Sequence, residues 1–158
     1  MDKLERVQKV ARPLEEVFSF FADPVNLEEL TPPFLQFKIL TPQPVEMKAG
    51  ALIDYQLRLF GIPFRWQTEI VEYKPGKRFR DVQVRGPYHT WNHLHEFSEI
   101  PGGTLIVDRI EYKVRFGIFG SIARELFVRR DLDRIFQYRQ EKIAERFGGI
   151  RETETGDG

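Results

Sequence analysis

The sequence predicts an α+β fold in which a curved antiparallel sheet wraps around a long C-terminal helix. Three observations carry this. Apolar residues recur with period two through most of residues 37–116, which is strand patterning. The period changes to that of a helix over residues 119–147. Two short helical segments, punctuated by proline, separate the first strand from the rest.

The first strand covers about Lys3 to Val10. Pro13 then stands where a helix can begin, because a first-turn proline gives up no needed hydrogen bond. Glu15 and Glu16 follow in the first turn and suit the helix dipole. Leu14, Val17, Phe18 and Phe21 share one helical face, and Asp23-Pro24 ends the element. A second short helix, Val25 to Leu30, stops at Thr31-Pro32-Pro33. Phe37 to Leu40 is a short strand. Ala51, Ile53, Tyr55, Leu57 and Leu59 alternate with polar residues, as do Phe64, Trp66, Thr68 and Ile70. Phe60-Gly61-Ile62-Pro63 and Lys74-Pro75-Gly76-Lys77 read as turns. Strands Phe79 to Val84, Thr90 to Ile100 and Thr104 to Phe116 follow, the last two joined by Pro101-Gly102-Gly103. In the final helix Leu132, Ile135, Phe136, Arg139 and Ile143 share a face. An earlier stripe of Phe119, Ile122, Ala123 and Leu126 is out of phase with it, so a kink or break is expected between Phe127 and Asp131.

Composition removes several function classes. Lys+Arg and Asp+Glu are equal at 24 each, against a general nucleic-acid binder, which needs a basic excess. Arg129-Arg130 is the nearest basic patch and reads as a solvated helix face. With no cysteine, thiolate metal sites, disulfides and cysteine nucleophiles are excluded. The charged N-terminus lacks a signal core, and no apolar run approaches the ~20 residues of a membrane helix, so a cytoplasmic protein is expected. No G-x-S-x-G or Gly-rich phosphate loop occurs.

The inward-facing polar residues are the informative feature. On residues 90–100, Trp91, His93, His95 and Phe97 share one face. On residues 104–116 that face carries Ile106, Asp108, Ile110, Tyr112 and Val114. A turn centred on residues 101–103 makes opposite residues sum to about 203. His95 then faces Asp108, Trp91 faces Tyr112, and His93 faces Ile110. The preceding strand pair places Asp81 near His93 and Gln83 near Trp91. The expectation is an inner cluster of Asp81, Gln83, His93, His95, Asp108 and Tyr112, capped by Arg139, with contacts Asp81–His93 and Asp108–His95.

Such a cluster has three readings. It can orient a ligand. It can perform acid–base chemistry, with His95-Asp108 as base, His93 and Asp81 beside them, and Tyr112 or Arg139 stabilising an enolate. It can also be a satisfied network that only stabilises the sheet. A metal at His93 and His95, with Asp81 or Asp108, is a further alternative because these ligand types suit zinc or iron.

The opening Val10-Ala11-Arg12-Pro13 through Ala22-Asp23-Pro24-Val25-Asn26-Leu27 resembles the START-like, or SRPBCC, superfamily. The segment Phe79-Arg80-Asp81-Val82-Gln83 through Gly86-Pro87-Tyr88 to Trp91-Asn92-His93-Leu94-His95-Glu96-Phe97 resembles a bacterial ligand-binding, cyclase-like subfamily. This resemblance implies a helix-grip fold of seven antiparallel strands; the length fits a single ligand-binding domain over residues 1–148, and the polar, Gly-ended 149–158 read as a flexible tail. It implies a cavity between sheet and helix that takes a small apolar or amphipathic molecule. The residues expected to meet that ligand are Trp66, Gln83, Tyr88, Trp91, His93, His95, Phe97, Asp108, Tyr112, Phe136 and Arg139. No cofactor is implied, and the sequence specifies no oligomeric state. The superfamily includes carriers, sensors and enzymes, so the fold does not choose a reaction.

Overall fold

The computed structural model describes residues 1–59, 61–115 and 122–150. Strand β1 (Asp2–Val10) leads into helix α1 (Leu14–Phe21), with Pro13 at its N-cap. A 3₁₀ turn at Pro24–Asn26, capped by the Asp23 carboxylate on the Val25 amide, continues into the single-turn α2 (Leu27–Leu30). The strands β2 (Lys38–Ile39), β3 (Leu52–Leu59), β4 (Ile62–Lys74), β5 (Arg78–Arg85), β6 (Tyr88–Ile100) and β7 (Gly103–Val114) follow. Helix α3 (Ile122–Phe147) ends the fold. The order in the sheet is β1-β7-β6-β5-β4-β3-β2, seven antiparallel strands, and the fold is the helix-grip expected.

Several boundaries differ from the sequence reading. β4 already begins at Ile62 and sets Pro63 opposite Arg58, so the turn is shorter than residues 60–63; Phe60 lies outside the described residues. Proline is tolerated there because it stands near the strand's start. The second helix is split between a 3₁₀ turn and α2. α3 is one 26-residue helix through residues 127–131, so of the kink or break expected there the break does not occur. No proline or glycine occurs in residues 122–147 to interrupt the helical hydrogen bonds. The side chains of Ile122, Ala123 and Leu126, Phe119 itself, and the tail from residue 151 lie outside the described residues. Gly149 and Ile150, assigned to the tail by sequence, bond to the end of β1: Val10 bridges Gly149, and the Ile150 amide reaches the Lys9 carbonyl at 3.3 Å. Among the described residues, no helix is long and apolar enough to cross a membrane.

Besides a cluster of Ile53, Tyr55 and Ile70 on β3 and β4, two apolar clusters form where the sheet meets α1 and α3. One gathers Val10, Val17, Phe18, Phe20, Phe21, Phe79, Phe97, Ile106, Ile143 and Phe147. The other gathers Trp91, Ile110, Tyr112, Leu132 and Phe136. On three elements a polar residue stands between the two. β6 runs from Trp91 through His93 and His95 to Phe97; β7 runs from Ile106 through Asp108 to Ile110; α3 runs from Phe136 through Arg139 to Ile143. Period two on the strands and period 3.6 on the helix thus bring one polar layer together inside an apolar core.

Candidate functional site

The β6–β7 register places His95 opposite Asp108, Trp91 opposite Tyr112 and His93 opposite Ile110, as the turn predicts. On the other side of β6, Asp81 stands opposite His93. His93, His95, Asp108 and Arg139 are all buried.

The two expected Asp–His contacts are present as longer approaches, but the hydrogen bonds do not follow the register. His95 Nε2 meets Asp81 Oδ2 at 2.6 Å, and His93 Nε2 meets Asp108 Oδ1 at 2.8 Å. The residues directly opposite are farther apart: His93 Nδ1 is 4.0 Å from Asp81, and His95 Nδ1 is 3.4 Å from Asp108. The cause is stacking. The two imidazoles lie face to face with centroids 3.6 Å apart, and Phe79 continues the stack on His95 at 4.2 Å. Both rings then present one edge to each carboxylate, and diagonal neighbours come within reach. Arg139 Nη2 approaches Asp108 Oδ1 at 3.5 Å, and its guanidinium lies over the Phe21 ring.

Burial and the neighbouring His93 push His95 down to about 4, so its imidazole is neutral at ordinary pH. Burial pushes Asp108 upward, but the Arg139 charge and the His93 hydrogen bond outweigh it and hold the carboxyl well below the usual range. Burial acts on Asp81 in the same way, and the hydrogen bond from His95 leads the effects that bring it below its ordinary value. Both carboxylates are therefore ionised.

Beside this layer is a cavity of about 180 Å³. Of the residues expected at the ligand, Trp66, Tyr88, Trp91, His93, His95, Phe136 and Arg139 line it, as does Asp81. Gln83, Phe97, Asp108 and Tyr112 do not. Phe97 fills the first apolar cluster, Tyr112 packs on Trp91 in the second, and Asp108 stands behind the histidines. Sequence reasoning missed Phe20 and Phe21 of α1, Leu35, Phe37 and Tyr55. Tyr55 was legible as a phenol on the apolar face of β3. Burial, with the Asp81 charge behind it, pushes its hydroxyl far up, so it stays protonated.

Gln83 has a different task from the one expected. Its amide bonds both the Tyr88 carbonyl, at 2.8 Å, and the Tyr88 amide, at 3.1 Å. It thereby closes the β5–β6 loop and fixes a cavity-lining residue. Gly86 makes room for this, since a Cβ there would meet Gln83 Oε1 at 2.5 Å. Gln83→Ala and Gly86→Ala are each expected to cost about 1–2 kcal/mol by losing these bonds. The double variant should cost little more than either alone in urea unfolding, because both changes remove the same interaction.

Residues 10–137 match the family model described as "Polyketide cyclase / dehydrase and lipid transport". No curated protein matches the chain. Among solved structures, protein CV1439 from Chromobacterium violaceum aligns with a TM-score of 0.72 at 16% identity, over 95% of this chain and 100% of its own. The Zhui aromatase/cyclase from Streptomyces sp. R1128 aligns with a TM-score of 0.71 at 16% identity, over 92% of each chain. A nucleoside-diphosphate sugar epimerase from Corynebacterium glutamicum aligns with a TM-score of 0.66 at 24% identity, over 90% of this chain but 28% of the epimerase. At these identities the structures share the fold, while the family match spans most of the sequence. The chain belongs to the polyketide cyclase/dehydrase and lipid transport family, within the SRPBCC superfamily.

Proposed function

We propose that this protein binds a small, mostly apolar molecule in the cavity between sheet and α3, with the Asp81–His95 end and Arg139 orienting its polar group. The observation that carries this is the cavity itself: mostly aromatic and aliphatic walls, with Asp81, His93, His95 and Arg139 on the sheet and α3 side and Asp23, Asn26 and Thr31 from the segment after α1. Its size sets the ligand class. An apolar cavity of ~150 Å³ accepts one benzene ring, so about 180 Å³ favours a single ring or a short branched chain over a long-chain lipid.

Binding is favoured over acid–base catalysis by the state of His95. One of its nitrogens bonds Asp81, and the other faces Asp108 and is shut off from solvent. A general base needs a nitrogen within hydrogen-bond reach of the substrate proton.

Both tryptophans of the chain, Trp66 and Trp91, line the cavity, so intrinsic fluorescence reports its occupancy. Titration with cyclohexanol is expected to give a saturable change, with methylcyclohexane binding more weakly because it cannot use the polar end. Ile135→Phe narrows the cavity and should weaken both at least tenfold. A signal that does not saturate, or that ignores Ile135→Phe, overturns the proposal. Loss of the preference for cyclohexanol in Asp81→Asn is the expected sign that the polar layer reads the ligand; an unchanged preference assigns that layer to the scaffold.

A further inference from the structure

We propose that Asp81, His93 and His95 form a binding site for one divalent transition-metal ion at the polar end of the cavity. The proposal rests on the reading that this end faces the bound ligand. Two imidazoles and one carboxylate are a donor set suited to zinc or iron(II), and three protein ligands leave open positions on the ion. One ligand atom from each residue lies within 4.8 Å of the others. Metal–ligand bonds of ~2.0–2.1 Å place tetrahedral ligands about 3.3 Å apart. His95 Nε2 is 2.6 Å and His93 Nδ1 is 4.0 Å from Asp81 Oδ2, so the present spacings bracket that value. Closing the site also requires the two stacked imidazoles, 25° from parallel, to turn so that both lone pairs meet at one point.

The groups behind the ligands fit as well. His93 uses its other nitrogen, Nε2, to bond Asp108 at 2.8 Å. That fixes the tautomer in which the Nδ1 lone pair turns toward Asp81, as outer-shell carboxylates do for metal-bound histidines. Asp108 is in turn held by Arg139. Asp81 makes its close contacts with the two imidazoles, and the Arg139 charge acts on it from beyond contact distance.

A buried atom without a hydrogen bond points the same way. His95 is 5% exposed, and its Nδ1 has no hydrogen-bond partner although it is 3.4 Å from Asp108 Oδ1. Because the ionised Asp81 can only accept, its 2.6 Å contact with Nε2 requires the His95 proton on Nε2. An ion taking the Nε2 lone pair requires that proton to move to Nδ1. There it would donate to Asp108, and the unpaired atom gains its partner. Asp108 then backs both imidazoles at once. The strands hold these side chains in place: His93 and His95 are two residues apart on β6, and Asp81 is across from them on β5. The open positions would receive an oxygen-bearing ligand, such as a carbonyl or hydroxyl compound, from the cavity.

The test uses full-length protein, purified without an affinity tag and dialysed against chelator. Zn²⁺ binding is followed by calorimetry, and Co²⁺ binding by its visible spectrum. One ion per chain is expected, with the intense visible bands of four-coordinate cobalt. Affinity should fall at least 100-fold in His93→Ala and in the near-isosteric Asp81→Asn, and stay unchanged in His89→Ala, the remaining histidine, which is exposed. Absence of uptake by the wild-type protein overturns the proposal, as does uptake that survives Asp81→Asn and His93→Ala. The cyclohexanol titration on the same metal-free protein reads the cavity separately. Cyclohexanol binding without metal uptake overturns the metal site alone, and failure of both overturns the ligand cavity too.

Discussion

Replacing Asp108 with alanine is expected to destabilise the fold by about 3–5 kcal/mol, the usual cost of removing one partner of a buried ion pair. Asp108 and Arg139 are 5% and 6% exposed, so neither charge can turn to water when the other is lost. Arg139 is fixed over Phe21 and between the two apolar clusters, and its Nε has no hydrogen-bond partner even in the intact protein. Removing Asp108 takes away its closest carboxylate and also leaves the His93 Nε2–H without an acceptor. Urea unfolding monitored by circular dichroism would measure the loss. The double variant Asp108→Leu/Arg139→Met is expected to recover at least half of it, because an apolar pair of similar volume carries no desolvation penalty. If the single variant loses less than about 1 kcal/mol, the size of an ordinary neutral hydrogen bond, the buried charge pair is not what holds this layer.

Gly103→Ala is expected to cost about 3 kcal/mol or more, at or above the upper end of the usual cost of forcing an atom into a packed interior. A Cβ at residue 103 would be 1.8 Å from the Val10 carbonyl oxygen and 3.1 Å from Ala11 Cα. Both obstacles are backbone, so no side chain can swing aside. β1 and β7 would have to separate where Val10 pairs with Thr104 and where the buried Thr104 hydroxyl bonds the Arg12 carbonyl at 2.8 Å. The neighbouring glycine gives the contrast. Gly102 has φ +82° and nothing within 4 Å of its Cβ position. Gly102→Asn should cost no more than about 1 kcal/mol, because asparagine tolerates the left-handed region. Thermal melting of the two variants, side by side, would show the difference, and equal losses would contradict the close β1–β7 approach.

The two glycines show what a sequence reading can reach. Pro101-Gly102-Gly103 marks a hairpin, and that local chemistry sets the β6–β7 register. It does not distinguish the glycine that serves the turn from the one that serves the strand beyond, since the obstacle at residue 103 comes from ninety-odd positions earlier in the chain. Gln83 is similar. Its parity put it on the inner face, but the ladder to β6 ends at Val82–Asn92, and the amide bonds the Tyr88 backbone instead. The α1 and α2 contributions to the cavity were out of reach for the same reason. Helical spacing shows that Phe21 can be buried, not which hollow it faces, and it did not single out Phe20 or Leu30.

The polar layer divides along the same line. Alternation on β6 and β7, and helical period on α3, determined that His93, His95, Asp108 and Arg139 point inward, because each backbone repeat fixes which side a side chain leaves. The turn determined that His95 stands across from Asp108. Which carboxylate bonds which imidazole was decided only by the tertiary structure. Stacking of His93, His95 and Phe79 sets the ring orientations, and the short bonds then run diagonally, Asp81 to His95 and Asp108 to His93. Backbone register fixes Cα positions, while the hydrogen bonds depend on where a ring's edge points, and packing between β5 and β6 controls that.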